Sequence, residues 1–358
     1  MKKRWSFEEM MTPVWNTPVV YGESLTMLRE DDGSACAPLL YAPARILSVT
    51  NAAGTEEYEE GRDWVLRDGK LCLTEDSRIF AFTKAEMYPA EPIEGKSFAM
   101  PGGNILFGEG NFFHLRQIAV TYEPVRCDWP GVTPACAKAQ LPRTWAALNE
   151  KRPLHMVLYG DSISWGGNAS IRANTPPYQA PYGELFAEWL NRNWGAPVRL
   201  TNTAVGGMDS VWGTENVDAM VNDYKPDTVL LAFGMNDGNK TPEYFEELTR
   251  RMVESIRAAN PAAEILLVAT STPNPILTDE KAPFWGNQYL FKGALDRIAA
   301  DPAYGGGIAV ADITGMQAAL HSRKRFIDTT GNHVNHPNDF FHRLYAQFLC
   351  GMLSPEDC

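Results

Sequence analysis

Ser162 stands in Tyr159-Gly160-Asp161-Ser162-Ile163-Ser164, directly after the apolar run Met156-Val157-Leu158 and ahead of Gly166 and Gly167. A serine that attacks an acyl carbon must be exposed on rigid backbone, close to N–H donors for the charge that develops on the carbonyl oxygen. The end of a buried strand, turning through small residues, meets both demands. Gly-Asp-Ser alone is also an ordinary loop sequence, so the reading depends on three later segments. Asn202-Thr203-Ala204-Val205-Gly206-Gly207-Met208-Asp209-Ser210 follows a second predicted strand, where a glycine such as Gly207 brings a backbone N–H close to a reacting oxygen. Gly234-Met235-Asn236-Asp237-Gly238 follows the most apolar strand, and Asn236 offers a side-chain N–H there, although Asn-Asp-Gly is equally common turn chemistry. Asn332-His333-Val334-Asn335-His336-Pro337-Asn338-Asp339 precedes the final predicted helix. An imidazole, whose unperturbed pKa is about 6.5, can take and return a proton at neutral pH, and His336 is the candidate here. In this order the four segments supply a nucleophile, oxyanion donors and a base.

The elements that must hold these loops alternate. Leu154–Tyr159, Val198–Thr201, Thr228–Phe233, Glu264–Thr270 and Ile308–Ile313 read as strands. Tyr182–Trp194, a segment opened by Thr241-Pro242-Glu243, and Phe340–Leu349 read as helices. Thr228–Phe233 is continuously apolar, as a strand covered on both faces must be. The alternation predicts a parallel sheet with helices on both faces, whose ligands gather at the carboxyl ends of the strands. Ser162, Gly207, Gly234 and Asn236 all follow predicted strands and so are expected on one rim.

Residues 1 to about 145 have a different rhythm. Short strand-like runs (Ala44–Thr50, Trp64–Leu66, Lys70–Leu73, Leu115–Tyr122) alternate with turn residues, and Arg67-Asp68-Gly69-Lys70 is a hairpin signal. This predicts a smaller β-sandwich or jelly-roll domain over 1–145, ahead of an α/β domain over 146–358. Pro124, Pro130, Pro134 and Pro142 mark 123–150 as a semi-rigid connector.

The chain of 358 residues has a net charge of −12, which disfavours nucleic acid and anionic membranes as partners. Met-Lys-Lys-Arg opens the chain, but Glu8 and Glu9 interrupt any apolar signal core, and no run approaches the length of a spanning helix. A cytoplasmic protein is expected. Its six cysteines are then free thiols, with a Cys127–Cys136 bridge as the less favoured alternative. His333, His336 and His342 match no zinc spacing, so neither metal nor cofactor is expected.

Gly160-Asp161-Ser162, Gly207 five residues after Asn202, Gly234-x-Asn236-Asp237 and His336-Pro337 together resemble the blocks of the SGNH, or GDSL-like, hydrolase family. The resemblance runs from about 150 to the end of the chain. It implies a flavodoxin-like three-layer α/β/α fold and metal-free ester hydrolysis through an acyl-enzyme. Ser162 would attack and His336 would act as base and then acid. The Ser162 N–H, the Gly207 N–H and the Asn236 amide would hold the oxyanion. The family usually has an aspartate three residues before the histidine, where this chain has His333. Asp328 or Asn332 is then expected to orient the imidazole, or a backbone carbonyl does so.

A β-rich domain ahead of such a hydrolase domain is similar to several carbohydrate acetylesterases. Trp165, Trp212 and the pair Phe284-Trp285, in a Pro-rich stretch expected to form a cleft wall, fit that resemblance, since flat rings suit sugar faces, although large aromatics are more often core. The expected partner is an acetylated oligosaccharide such as a mannan or xylan fragment, with monomer and homo-oligomer both open. Two alternatives stand: an SGNH esterase or thioesterase on small acyl substrates, and a catalytically silent carbohydrate-binding protein.

Overall fold

The computed structural model describes residues 5–278, 282 and 284–356, so Met1 to Arg4 and Cys358 lie outside the described residues. Among these residues five parallel strands form one sheet, in the order Val198–Asn202, Leu154–Gly160, Thr228–Ala232, Glu264–Val268, Ile308–Ala311. Numbered along the chain, that order is 2-1-3-4-5, the flavodoxin-like arrangement. Successive side chains leave a strand on opposite faces. Met156, Leu158, Leu230 and Leu266 accordingly enter one apolar cluster, while Val157, Tyr159, Val229, Leu231, Ile265 and Leu267 enter another. Each cluster is closed by helices. Tyr182–Trp194 and Asp339–Met352 cover the first face, and Ser210–Met220, Pro242–Ala259 and Phe291–Ala299 cover the second. The order reverses between Leu154–Gly160 and Thr228–Ala232. That reversal opens a crevice at their carboxyl ends, where Ser162 and Asn236 follow.

Every residue of Asp339–Met352 is buried. A helix buried on all sides needs a second layer outside it, and the N-terminal region supplies one. Val20–Thr26, Gln117–Pro124 and Pro43–Asn51 form a three-stranded antiparallel sheet with Gln117–Pro124 in the middle. Its Leu25, Val49 and Val120 share a cluster with Phe341, Leu344, Tyr345 and Phe348 of the helix. A second antiparallel sheet pairs Cys36–Pro38 and Trp64–Arg67 with Lys70–Leu73, which turns through Asp68 and Gly69, both at positive φ. A hairpin of Ser97–Met100 and Gly103–Leu106 turns through Pro101-Gly102 and leads into the site.

Three expectations change. Leu115 and Arg116 lie in a 3-10 turn, and the strand begins at Gln117. The connector ends in a helix, Pro142–Asn149, with Thr144, Ala147 and Leu148 buried. Its first N–H groups would be orphaned, but the Glu264 carboxylate accepts from Arg143 N (2.8 Å) and Thr144 N (2.7 Å). A carboxylate at a helix N-terminus contributes about 0.3–1 kcal/mol, and more when partly buried. The prolines read as a semi-rigid connector, but they gave no sign of the helix or of the carboxylate that caps it. Cys36 and Cys72, neighbours across two antiparallel strands, form a disulfide, while Cys127 and Cys350 are free. The free-thiol expectation therefore fails for Cys36, Cys72 and also Cys136, which is disulfide-bonded, and since Cys127 is free the Cys127–Cys136 bridge is absent.

Candidate active site

Ser162 opens a four-residue helix, Ser162–Trp165, at the tip of the first sheet strand. Asp161 caps it, accepting from Ile163 N at 3.0 Å. His336 Nε2 lies 2.8 Å from Ser162 Oγ. Its Nδ1 lies 2.7 Å from Asn168 Oδ1. The Asn168 amide nitrogen donates to Gly110 O and Gly331 O, both at 3.0 Å. With both amide hydrogens engaged, Oδ1 is the atom that faces the ring, and it can only accept. The ring proton therefore sits on Nδ1, and the Nε2 lone pair points at the serine hydroxyl. Gly167 makes room for this. A Cβ there would stand 2.9 Å from His336 Nδ1 and 3.0 Å from its Cε1.

The histidine loop is organised by Asn332. Its Oδ1 accepts from the backbone N–H groups of Val334, Asn335 and His336 at 2.9–3.0 Å. Its amide donates to Asn335 Oδ1 and to Glu109 Oε1, each at 3.0 Å. Asn332 thus shapes the loop but does not touch the imidazole. Asp328 does not reach the ring either. It is fully buried, accepts from Thr26 N at 2.9 Å, and pairs with Arg325 at 2.8 Å. Burial pushes its carboxyl up, but Arg325 and Lys324 outweigh that and hold it below the ordinary range. The group orienting the imidazole is Asn168, with Glu109 Oε1 3.4 Å from Nδ1. Sequence reasoning missed both. Asn168 follows the two glycines of the nucleophile segment. Glu109 sits in Gly108-Glu109-Gly110, a weak sign of an acid on a tight loop.

On the other side of Ser162 lie the expected oxyanion loops. A Cβ on Gly206 would be 3.8 Å from the Ser162 Cβ. Gly207 follows at φ +79°, a conformation that a side chain disfavours. Asn236 donates one amide hydrogen to Met208 O at 2.9 Å. Carboxylates tie these loops together. Asp161 accepts from Met235 N at 3.3 Å, and Asp237 accepts from Ser210 N (3.0 Å) and Ser210 Oγ (2.6 Å). Lys240 pairs with Asp209 and Asp237 at 2.7 and 3.0 Å. Burial pushes the Asp161 carboxyl up to about 7, against the two backbone N–H bonds that pull it down.

Ser162, His336, Gly206, Gly207 and Asn236 share a cavity of about 550 Å³. Trp165, 45% exposed, forms part of its wall, with the Arg172 guanidinium 5.4 Å from the ring centre. Phe98, Phe107 and Phe284 form more of it. Trp212 does not line this cavity. It packs on Tyr159 in the core beneath the sheet, with ring centres 5.9 Å apart. Trp285 donates its indole N–H to Leu277 O at 2.9 Å and lines a neighbouring cavity instead. Periodicity cannot distinguish an aromatic facing a cavity from one facing the core, which explains both the misplaced tryptophans and the missed Phe98 and Phe107, whereas Phe284 lies where the cleft wall was expected. Among the described residues no group of three His, Cys, Asp or Glu side chains could hold a metal ion. His333 and His342 instead bond to Leu106 O and Gly167 O.

The GDSL-like Lipase/Acylhydrolase family matches residues 158–344, more than half of the chain. The chain belongs to this family. The matched span begins in the strand before Ser162 and ends beyond His336. No curated protein matches the chain. Among solved structures it is similar to a two-domain esterase (CEX) active on acetylated mannans, at 20% identity and a TM-score of 0.48, covering 63% of this chain and 56% of that one. The match thus spans little more than half of that esterase. A catalytic mutant of Axe2, an acetylxylan esterase from Geobacillus stearothermophilus, is 15% identical with a TM-score of 0.45, covering 56% and 94%. A GDSL-like lipase from Parabacteroides merdae is 16% identical with a TM-score of 0.45, covering 56% and 95%.

Proposed function

We propose that this acylhydrolase cleaves O-acetyl esters of carbohydrates through an acyl-enzyme on Ser162. One observation carries the reading: the Ser162 hydroxyl faces an imidazole whose tautomer Asn168 has already set, inside a cavity walled partly by an exposed indole. His336 Nε2 takes the Ser162 proton as Oγ attacks the acetyl carbon. The oxyanion is received by the N–H groups of Ser162 and Gly207 and the second amide hydrogen of Asn236. The imidazolium then protonates the departing sugar oxygen. A water molecule, deprotonated by the same nitrogen, attacks the acetyl-serine, and acetate leaves as the proton returns to Oγ.

Trp165 and Arg172 support a sugar as the alcohol, since an exposed ring offers a flat face to C–H groups and a guanidinium offers donors to hydroxyls. Phe98, Phe107 and Phe284 favour a second reading, a longer acyl chain. Measured acetate release from acetylated manno- and xylo-oligosaccharides, with Ser162→Ala as control, tests the first. Cleavage of p-nitrophenyl octanoate well above p-nitrophenyl acetate, with no acetate released from the glycans, would sink it in favour of the second. We also read residues 1–145 as a small sandwich, because Leu71 and Trp64 of one antiparallel sheet share an apolar cluster with Leu25 and Val120 of the other. The Cys36–Cys72 bridge supports an oxidising compartment over the cytoplasm, and thiol counting before and after reduction checks that it forms.

A further inference from the structure

The reaction as described gives the N-terminal region no part, yet its loop 106–110 touches the catalytic histidine's surroundings at four points. Leu106 O accepts from His333 Nδ1 at 3.0 Å, and Gly108 N donates to Asn332 O at 3.4 Å. Glu109 Oε1 accepts from the Asn332 amide, and Gly110 O accepts from the Asn168 amide, both at 3.0 Å. This loop therefore grips both the residue that shapes the histidine loop and the residue that orients the ring. It also brings a carboxylate to 3.4 Å from His336 Nδ1.

The histidine loop itself has no carboxylate to offer. His333 occupies the position three residues before His336, at φ +72°, with its ring turned toward Leu106 and fully buried. Burial lowers the pKa of that ring to about 4, so it is neutral. Asn168 accepts the Nδ1 hydrogen in both charge states of the ring, but as a neutral amide it fixes the tautomer without supplying a balancing charge. Among the described residues, Glu109 brings the negative charge that comes within reach of Nδ1. Desolvation raises its pKa, but His336, Asn332 and the Gly110 N–H together outweigh that, and it stays below the ordinary range.

We propose that Glu109 is a positioning residue for His336, supplying from the N-terminal region the negative charge that balances the imidazolium formed when Ser162 gives up its proton. The inference rests on the ester hydrolase reading above. No proton passes to Glu109. The serine proton goes to Nε2, and Nδ1 keeps its own. Two neutral partners and one anion thus share the duties that a single aspartate would otherwise combine: Asn168 sets the tautomer, Asn332 holds the carboxylate, and Glu109 carries the charge. Among the described residues, the other ionisable groups near the ring are Asp161 beneath the nucleophile, His342 behind Gly167, and Arg172 on the cavity wall.

The test uses the full chain and p-nitrophenyl acetate, with kcat and KM followed from about pH 5 to 9 for wild type, Glu109→Gln, Glu109→Asp and Ser162→Ala. Glu109→Gln keeps the oxygen that Asn332 donates to and removes the charge. We expect kcat to fall by about tenfold to a hundredfold, the range for losing a hydrogen-bonded charge, with KM little changed. The acid limb of the profile moves to lower pH, because a cationic ring without its anion releases its proton more readily. Glu109→Asp retains part of the rate and the wild-type position of the limb. A Glu109→Gln enzyme with wild-type kcat and limb, while Ser162→Ala is dead, overturns the inference and leaves the hydrolase reading standing. A lower rate with an unmoved limb also overturns it, since that is what a purely structural clamp produces. Wild-type protein that cleaves no ester overturns both.

Discussion

The two sides of Ser162 are built in different ways. On the oxyanion side, every support comes from the sheet's own loops. Asp161 reaches Met235, Asn236 reaches Met208, and Asp237 reaches Ser210, so three strand tips are stitched to one another. On the base side, the ring and its orienting amide are gripped from outside the sheet, by a loop before the central strand of the N-terminal sheet. The first side follows from the parallel sheet itself, because adjacent strands must end near one another. The second depends on how two separate layers pack. A site can thus take its electrostatic donors from local topology and its proton-transfer geometry from distant packing.

The largest expected effect removes what both sides serve. Ser162→Ala should reduce ester cleavage by about 10⁶-fold, as loss of a nucleophile does elsewhere, while leaving the melting temperature near wild type. Residual Ser-independent turnover would mean that neither side is arranged around this hydroxyl. Next, Asn236→Ala breaks the sheet-built side alone and should lower kcat by about 10²- to 10³-fold with KM nearly unchanged. An unaltered kcat would remove Asn236 from the oxyanion site. Asn168→Ala breaks the packing-built side alone. It frees the ring to adopt the wrong tautomer, and a loss of about a hundredfold in kcat is expected. Imidazole nitrogen NMR then should report mixed tautomers, and a single Nδ1–H form would contradict the role given to Asn168. The smallest effect on turnover should come from Asp328→Asn. It leaves Arg325 without its buried anion, while Lys324 keeps Glu23, and should destabilise the fold by about 3–5 kcal/mol. Activity per folded molecule should stay at wild type. A selective loss of kcat without loss of stability would restore Asp328 as an imidazole partner.

How much could be read in advance follows the same division. That Ser162, Gly207, Asn236 and His336 meet in one cavity was legible because each sits in a short block beside a strand end or a helix start, and the blocks occur in a fixed order. The sheet was legible from Thr228–Ala232 and its fellows, whose side chains feed two clusters and so are apolar throughout. Trp212 and Trp285 were misread because a ring near a glycine loop in sequence can turn to the core or to a neighbouring cavity. Asp328 was misread because a carboxylate close to the histidine in sequence was favoured over one far from it. Its true partners, Thr26 and Arg325, belong to the contact between the two regions.

Local pattern alone therefore determined the candidate nucleophile, the candidate base, the glycine and asparagine loops beside them and the alternation of the elements that carry them, since all of these depend on residues a few positions apart. Only the tertiary structure decided which atoms hold the imidazole, which aromatics face the cavity, and that Cys36 meets Cys72. Glu109 lies 223 positions from the Asn332 that secures it. No periodicity or spacing spans such an interval. The helix Asp339–Met352, buried between the parallel sheet and the N-terminal layer, is what brings the two together.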